Sequence, residues 1–375
     1  MKQSKIVPLG DYIEYCDERN TDKLYGVDSV RGISIEKKMI FTKANMEGVS
    51  VASYKIVKPG EIAFVPDTSR RGDKMSLGYN ESDETFIVSS AYEVFRVKDK
   101  NDVLPDYLYL FFSRPEFDRY ARFKSWGSAR ESFSWDEMCS VEIPIPPIEE
   151  QQKVVNAWKA LREIKEQNES IATPLMQMCQ SYIQELKHEY EAIEIGEYIE
   201  ETNERNSEGI YGVSSVRGLA TSKGMIDTKA NMEGVSVTSY KIVKPGEIAF
   251  VPDTSRRGDK MSLGYNELDE SVLVSSISCV IRCISQNKLI PQFLYLWFCR
   301  SEFDRYARFN SWGSARESFS FADMCRVKIP IPPVEKQQAI VNIYNCANEA
   351  KKIAAEADRM SREVCPALIQ HIIHN

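Results

Sequence analysis

The sequence contains itself twice. Sliding the chain of 375 residues along itself by 186 positions brings three blocks into coincidence. Tyr25-Gly-Val-Asp-Ser-Val-Arg-Gly32 returns as Tyr211-Gly-Val-Ser-Ser-Val-Arg-Gly218. Residues 42–81 return as 228–267 with one change in 40 positions, Ala52 against Thr238. Residues 116–134 return as 302–320 with one change in 19, Lys124 against Asn310. Solenoid repeats run roughly 20 to 50 residues, so a period this long is a duplicated domain with its connector. Such a chain must fold into two similar bodies and two similar linkers.

The identity is patchy. Residues 82–103 have drifted far from 268–289. Packing tolerates volume-conserving drift. An unchanged block that carries Lys43, Asn45, Arg70, Arg71 and Lys74 is therefore read as one binding surface used twice. Recent duplication or local gene conversion is the alternative.

Within each repeat, residues 54–57 and 61–65 read as strands on either side of a Pro59-Gly60 turn. Residues 86–88 and 92–97 also read as strands. Residues 105–112 and 115–123 read as short helices with Pro near the start, and 132–138 as a capped helical turn. Residues 141–147 form an extended exit, because a residue before Pro avoids the helical region. After Pro147, Glu149 and Glu150 suit the start of a helix. An approximate heptad then runs Val154, Ala157, Leu161, Ile164, Asn168, Ile171, Leu175, Met178, Tyr182. Pro174 predicts a kink or a break. The second copy gives Ile340, Ile343, Ala347, Ala350, Ala354, Ala357, Ser361, Val364, Leu368. Large side chains facing small ones predict that the two helices pack on each other. Asn168 then reads as a register device. The expected boundaries are a first domain over 1–146, a helix over 147–190, a second domain over 191–332 and a helix over 333–375.

Catalytic chemistry is scarce. The three histidines, His188, His371 and His374, lie outside the duplicated blocks. No His- or Cys-rich metal spacing, dinucleotide glycine fingerprint or phosphate loop occurs. Gly127-Ser128-Ala129-Arg130 lacks the second glycine of a nucleophile elbow. No apolar run approaches the ~20 residues of a membrane span. Residues 1–7 lack a secretory apolar core. Nine cysteines with no Cys-x-x-Cys pair read as reduced thiols of a cytoplasmic protein. Cys279 and Cys283 read as core residues of a strand. A binding protein without catalytic or metal residues is expected. The net charge of −7 is compatible with a local basic face on an acidic body.

The binding chemistry lies in three segments. Ser69-Arg70-Arg71-Gly72-Asp73-Lys74 puts three cations in a glycine-containing loop, suited to phosphate contact or guanine readout. Ion pairs with Asp67 and Asp73 are the alternative. Lys43 and Asn45 offer a phosphate donor and an amide suited to adenine. Ser128 and Arg130 share a tight loop with Trp126, a plausible phosphate clamp in which the tryptophan is expected to anchor the loop in the core. The second copy offers Lys229, Asn231, Ser255, Arg256, Arg257, Lys260, Ser314 and Arg316.

Each domain leaves through Ile-Pro-Ile-Pro-Pro-[Ile/Val]-Glu-x-Gln-Gln, at residues 143–152 and 329–338, downstream of a Gly-Ser-x-Arg loop. With domains and helices alternating, this pattern resembles the specificity subunit of type I restriction-modification systems. The resemblance spans residues 8–373. It implies an α+β fold: two duplicated mixed α/β target-recognition domains separated by two long helices packed as an antiparallel coiled coil. Each domain would read one half of a split site in double-stranded DNA, with the helix pair setting the gap. Leu161, Ile164, Asn168 and Ile171 would face Ala347, Ala350, Ala354 and Ala357 across the seam. Two modification subunits would dock on the chain and bring S-adenosylmethionine chemistry. Restriction subunits using ATP and Mg would join them, and this chain would hold no cofactor itself. Near-identical heads imply a palindromic site. The alternatives are an orphan specificity subunit, the recognition part of a related type II assembly, a duplicated protein-binding scaffold, or a free-standing nuclease or methyltransferase. Under the symmetric reading, Arg130→Ala and Arg316→Ala weaken DNA binding equally, by ~1–3 kcal/mol in a titration. One silent and one severe substitution would contradict it.

Overall fold

The computed structural model describes residues 5–68, 74–128, 130–228, 230–254, 260–314 and 317–374. The chain divides into two compact units, Met1–Asn168 with Ile353–Asn375, and Glu169–Lys352. The division falls inside the long helices, so each unit is one mixed domain with half of each helix.

The first domain holds strands β1 (Lys5–Pro8), β2 (Ile13–Tyr15), β3 (Arg31–Ile33), β4 (Met39–Phe41), β5 (Lys55–Val57), β6 (Ile62–Phe64), β7 (Leu77–Tyr79), β8 (Phe86–Val88) and β9 (Glu93–Val97). Three helices follow, α1 (Pro105–Phe112), α2 (Pro115–Phe123) and α3 (Trp135–Cys139), then β10 (Glu142–Ile145) and the long helix α4 (Ile148–Glu189). A four-stranded antiparallel sheet runs in the order β2-β9-β6-β7. Successive strand residues point to opposite faces. Ile62 and Phe64 enter a core with Phe95, Phe112 and Phe133, while Ala63 and Val65 enter another with Ile33, Val57 and Val94. Burial on both faces explains the unbroken apolar run of β6. The Pro59-Gly60 turn joins β5 to β6 but does not pair them. β5 pairs with β8, and β6 with β7 and β9. Gly60, at φ +86, turns the chain from one sheet into the next.

Helix α1 is apolar and buried except at Asp106, whose carboxylate pairs with Lys159 of α4 at 2.7 Å. Helix α3 starts at Ser134, whose side chain accepts from the Glu137 N–H. β1 pairs with β10, zipping the entry of the domain to its exit. One turn into α4, Gln151 is fully buried. Its Oε1 accepts from the Leu104 N–H at 2.9 Å, and its Nε2 donates to the carbonyls of Asp102 at 2.8 Å and Pro146 at 2.9 Å. Every amide position but one acceptor lone pair is thus used. The first Gln of each Glu-x-Gln-Gln exit is therefore the bolt that fixes helix to domain.

The second unit repeats the plan. Its sheet is ordered Ile199–Thr202, Cys279–Cys283, Ile248–Phe250, Leu263–Tyr265. Helices α5 (Pro291–Phe298), α6 (Ser301–Phe309) and α7 (Phe321–Cys325) precede α8 (Val334–His374). Gln337 makes the same three bonds, to Ile290, Lys288 and Pro332. Cys279 and Cys283 are buried in the core, and burial raises both thiols.

In both units α4 and α8 run antiparallel. In the first, Val154, Val155 and Trp158 share a core with Ile369, and Lys165 pairs with Asp358 at 2.7 Å. In the second, Cys179, Ile183 and Leu186 share a core with Ile340 and Val341, and Lys336 pairs with Glu189 at 2.6 Å.

Val154 is buried as the heptad predicts, but from Ala172 onward the seam on α4 lies one residue from the expected positions. Ile164 and Ile171 are 41% and 51% exposed, and Met178 and Tyr182 are exposed too. The buried row is Val154, Val155, Trp158, Ala172, Cys179, Ile183 and Leu186. Small Ala172 and Cys179 let the helices approach closely, and the large side chains one position earlier are left outside. On α8, Ala347, Ala350, Ala354 and Ala357 are all buried. Leu161 is partly buried, and Asn168 donates to the Ile164 carbonyl of its own helix at 2.8 Å. Of the kink or break expected at Pro174, the break is absent, since α4 runs through it as α8 runs through Pro366. Burial of Ala172 and Cys179 on either side offsets the lost hydrogen bond. Overpacking this seam is costly, so Ala354→Leu should lower stability by ~1–3 kcal/mol. Ile171→Ala should change it by less than about 0.5 kcal/mol. Urea unfolding of the two variants checks the register, and the reverse ranking would contradict it.

Candidate nucleic-acid interface

Two of the three candidate segments are stitched together. Residues 66–68 and 131–133 lie antiparallel: the Thr68 N–H donates to the Glu131 carbonyl at 3.0 Å, and the Phe133 N–H to the Pro66 carbonyl at 2.9 Å. On the other side of this segment, Trp126 and Ser132 exchange N–H···O bonds of 3.1 and 3.0 Å. Residues 127–131 are thereby closed into a tight loop. Gly127 sits at φ +146, and a Cβ there would lie 2.0 Å from the Arg130 carbonyl oxygen, so only glycine fits. Fully buried Phe133 anchors the stitch, against Phe64 and Phe117. Arg122 forms an ion pair with Glu131 beneath the loop. The second copy repeats the pattern with Thr254, Glu317, Phe319, Pro252, Trp312 and Ser318, and with the Arg308–Glu317 pair.

A buried cation pins the far side. Lys37 lies in the turn between β3 and β4 at φ +56. Its Nζ meets Asp118 Oδ1 of α2 at 2.5 Å and donates to the Met75 carbonyl at 3.1 Å. Asp118 also accepts from the Met75 N–H at 3.0 Å, and the Tyr109 hydroxyl of α1 donates to the Lys37 carbonyl at 2.9 Å. Burial lowers the Lys37 ammonium, and the Asp118 carboxylate opposes that shift. Lys223, Asp304, Met261 and Tyr295 form the same hub in the second domain. The turn around it has diverged, from Ser34-Ile-Glu-Lys37-Lys to Ala220-Thr-Ser-Lys223-Gly, yet the lysine is kept. Both flanks of the Ser69–Asp73 stretch are therefore held, Thr68 by Glu131 and Met75 by Asp118.

Ser128 and Arg130 are exposed in the closed loop, as is Ser314 in its copy. Lys74 is exposed and pairs with Glu36 at 2.9 Å. Lys260 is also exposed, with Ser222 at the position of Glu36. The two heads thus differ in charge pairing beside the arginine loop. Lys43, Asn45 and Asn231 are exposed on the loop after the hairpin. Asn45 and Asn231 accept from the N–H groups of Glu47 and Glu233, both at 3.0 Å. No described contact joins that loop to the stitched pair. Ser69, Arg70, Arg71, Lys229, Ser255, Arg256, Arg257 and Arg316 lie outside the described residues.

The expectation that Trp126 anchors its loop in the core is overturned. Its ring is 69% exposed, and that of Trp312 is 67% exposed. Phe133 anchors the loop in its place. No motif marks the role of Lys37, and the sequence marks Gln151 only as part of the repeated exit motif, without its buried bonds. The one available signal for Lys37 was its retention inside a diverged turn. Among the described residues, no group of three His, Cys, Asp or Glu side chains is placed to hold a metal. No helix of the described residues is long and apolar enough to cross a membrane.

Against this geometry, the family of the type I restriction modification DNA specificity domain matches twice, at residues 67–173 and 255–345. The two matches cover more than half of the chain and contain both stitched loops, and the chain belongs to this family. The fold is similar to that of the type I restriction-modification system S subunit from M. genitalium, with a TM-score of 0.62 at 13% identity over 99% of this chain and 97% of that one. The HsdS subunit from Thermoanaerobacter tengcongensis aligns over 100% of this chain and 95% of that one, with a TM-score of 0.37 and 14% identity. No curated protein matches the chain by sequence.

The buried hub yields a prediction. Removing one partner of a buried ion pair leaves an uncompensated charge, so Lys37→Met should cost ~3–5 kcal/mol. Adding Asp118→Leu should restore part of the loss. A double-mutant cycle by urea unfolding measures the coupling. Additive effects of the two substitutions would contradict the hub.

Proposed function

We propose that this chain is the address-reading subunit of a type I restriction-modification complex, and that it binds a bipartite palindrome. One stitched pair of loops in each domain reads one short half-site. The other domain, carrying the same loops, reads the reverse complement, as dimeric binders do on palindromes. The helix pair sets the gap between the halves. Two modification subunits dock on the domains and helices and bring S-adenosylmethionine to the DNA. Restriction subunits with ATP and Mg join the complex, and this chain contributes no catalytic group. The observation that carries the reading is the repetition of the whole loop constellation, bonds included, in two domains whose other surfaces have diverged.

The net charge of −7 favours a second reading, a duplicated scaffold that binds protein. Salt separates the two. Phosphate contacts release counterions, so DNA affinity should fall steeply with salt, and a scaffold shows no such dependence.

The decisive experiment is sequencing of methylated bases in host DNA with and without this gene. Deletion should remove one motif whose halves are reverse complements. A lost motif with two unrelated halves would contradict the symmetric reading, and an unchanged methylome would contradict an active specificity subunit.

A further inference from the structure

Beside the closed loop of each head, two aromatic residues stand exposed. Phe123 and Trp126 are 75% and 69% exposed in the first head, and Phe309 and Trp312 are 81% and 67% exposed in the second. Each pair flanks the Lys124 or Asn310 position and runs into the closed loop of Ser128 and Arg130 or its copy. Single exposed apolar side chains are ordinary. Two large rings within four residues, twice, in blocks unchanged between copies, are not. Phe41 is as exposed, but Arg31 covers its ring at 4.2 Å, and the other three tryptophans find partners inside the fold. Trp158 and Trp297 are almost fully buried, and Trp135 packs on Phe95 with centroids 5.8 Å apart.

We propose that these rings are base-contacting groups, which stack on the faces of bases at an opened step of each half-site. The proposal rests on the reading of the chain as a DNA specificity subunit, and it adds a mode of contact to it. The backbone of Trp126 is fixed before any ligand arrives: its N–H and C=O are both bonded to Ser132, and Gly127 beside it accepts no side chain. Only two side-chain torsions remain to be ordered, so little entropy opposes stacking. The surroundings favour nucleic acid over protein as the occupant. Lys124 and Arg130 share the segment with Trp126, and the stitched neighbour leads into Arg70, Arg71 and Lys74. Rings interleaved with cations are how proteins hold bases and phosphates together. An intact duplex shows base edges in its grooves and hides the faces. A ring that meets a face must therefore wedge into a step or cover a base that has left the stack.

The test uses the full chain assembled with its modification subunit, on a duplex carrying the methylated motif. 2-Aminopurine is placed at each position in turn. The wild type should raise its fluorescence at one position in each half-site. Trp126→Ala and Trp312→Ala should each abolish the rise in one half. Each should weaken binding about 5- to 150-fold, as loss of one stacked base does. The slope of affinity against salt should stay unchanged, since no phosphate contact is lost. Arg130→Ala should do the opposite, lowering the slope by about one and keeping the signal at saturation. Tryptophan variants that bind and report like the wild type would overturn the proposal. So would variants that lose the modification subunit in gel filtration, since the rings would then belong to a protein contact. A wild-type complex that binds no duplex would instead overturn the specificity reading beneath it.

Discussion

Placement in this chain depends on one buried amide at the start of each long helix. Gln151 and Gln337 are fully enclosed, and each spends three hydrogen bonds on backbone groups outside its own helix turn. A buried backbone group left without its partner costs ~1–3 kcal/mol. The amide thus couples the helix to the loop before α1 and to the proline exit at once. No apolar residue of the same size satisfies those groups, and Glu would bring a charge into a dry site. The Pro-Pro-x-Glu-x-Gln-Gln exit is a structural clasp by this argument. It fixes the boundary between domain and helix by hydrogen bonds.

The two heads show what the clasp holds in place. In each, loops distant in sequence are joined by backbone bonds, so their relation does not depend on side chains that drift. The buried lysine hub ties the β3–β4 turn, α1, α2 and Met75 into one piece. Around it the copies have changed freely. Arg31 lies between Phe41 and Phe86, 4.2 Å from each ring, while its counterpart Arg217 has Asp227 at 3.7 Å. In both copies the arginine donates to the two equivalent backbone carbonyls, at 2.7 and 3.1 Å, and only the side chains around it differ. What is preserved between the copies is the loop scaffold and its exposed groups.

Much of this was legible in the sequence because it rests on local signals. Prolines start α1 and α2, Ser134 caps α3, and the repeat itself announces two domains. Beyond its first turns the seam of α4 lies one residue from the heptad positions, because a heptad pattern favours large apolar side chains. Close helix packing selected Ala172 and Cys179, and such a choice depends on the partner surface. Trp126 was misread because hydrophobicity predicts burial for a single ring, and the sequence does not show that Phe133 already fills the site beneath the loop. Gln151 and Lys37 are polar residues inside a core, and their partners lie 49 and 81 residues away at the farthest. No local pattern carries such information.

The central claim is that two equivalent heads read one symmetric address. A hydroxyl-radical footprint of the assembled complex on its methylated motif tests it most directly. Two protected patches of equal extent are expected, related by the two-fold axis of the motif, with a reactive stretch between them. A single patch, or two patches that differ in extent and strand, would contradict it.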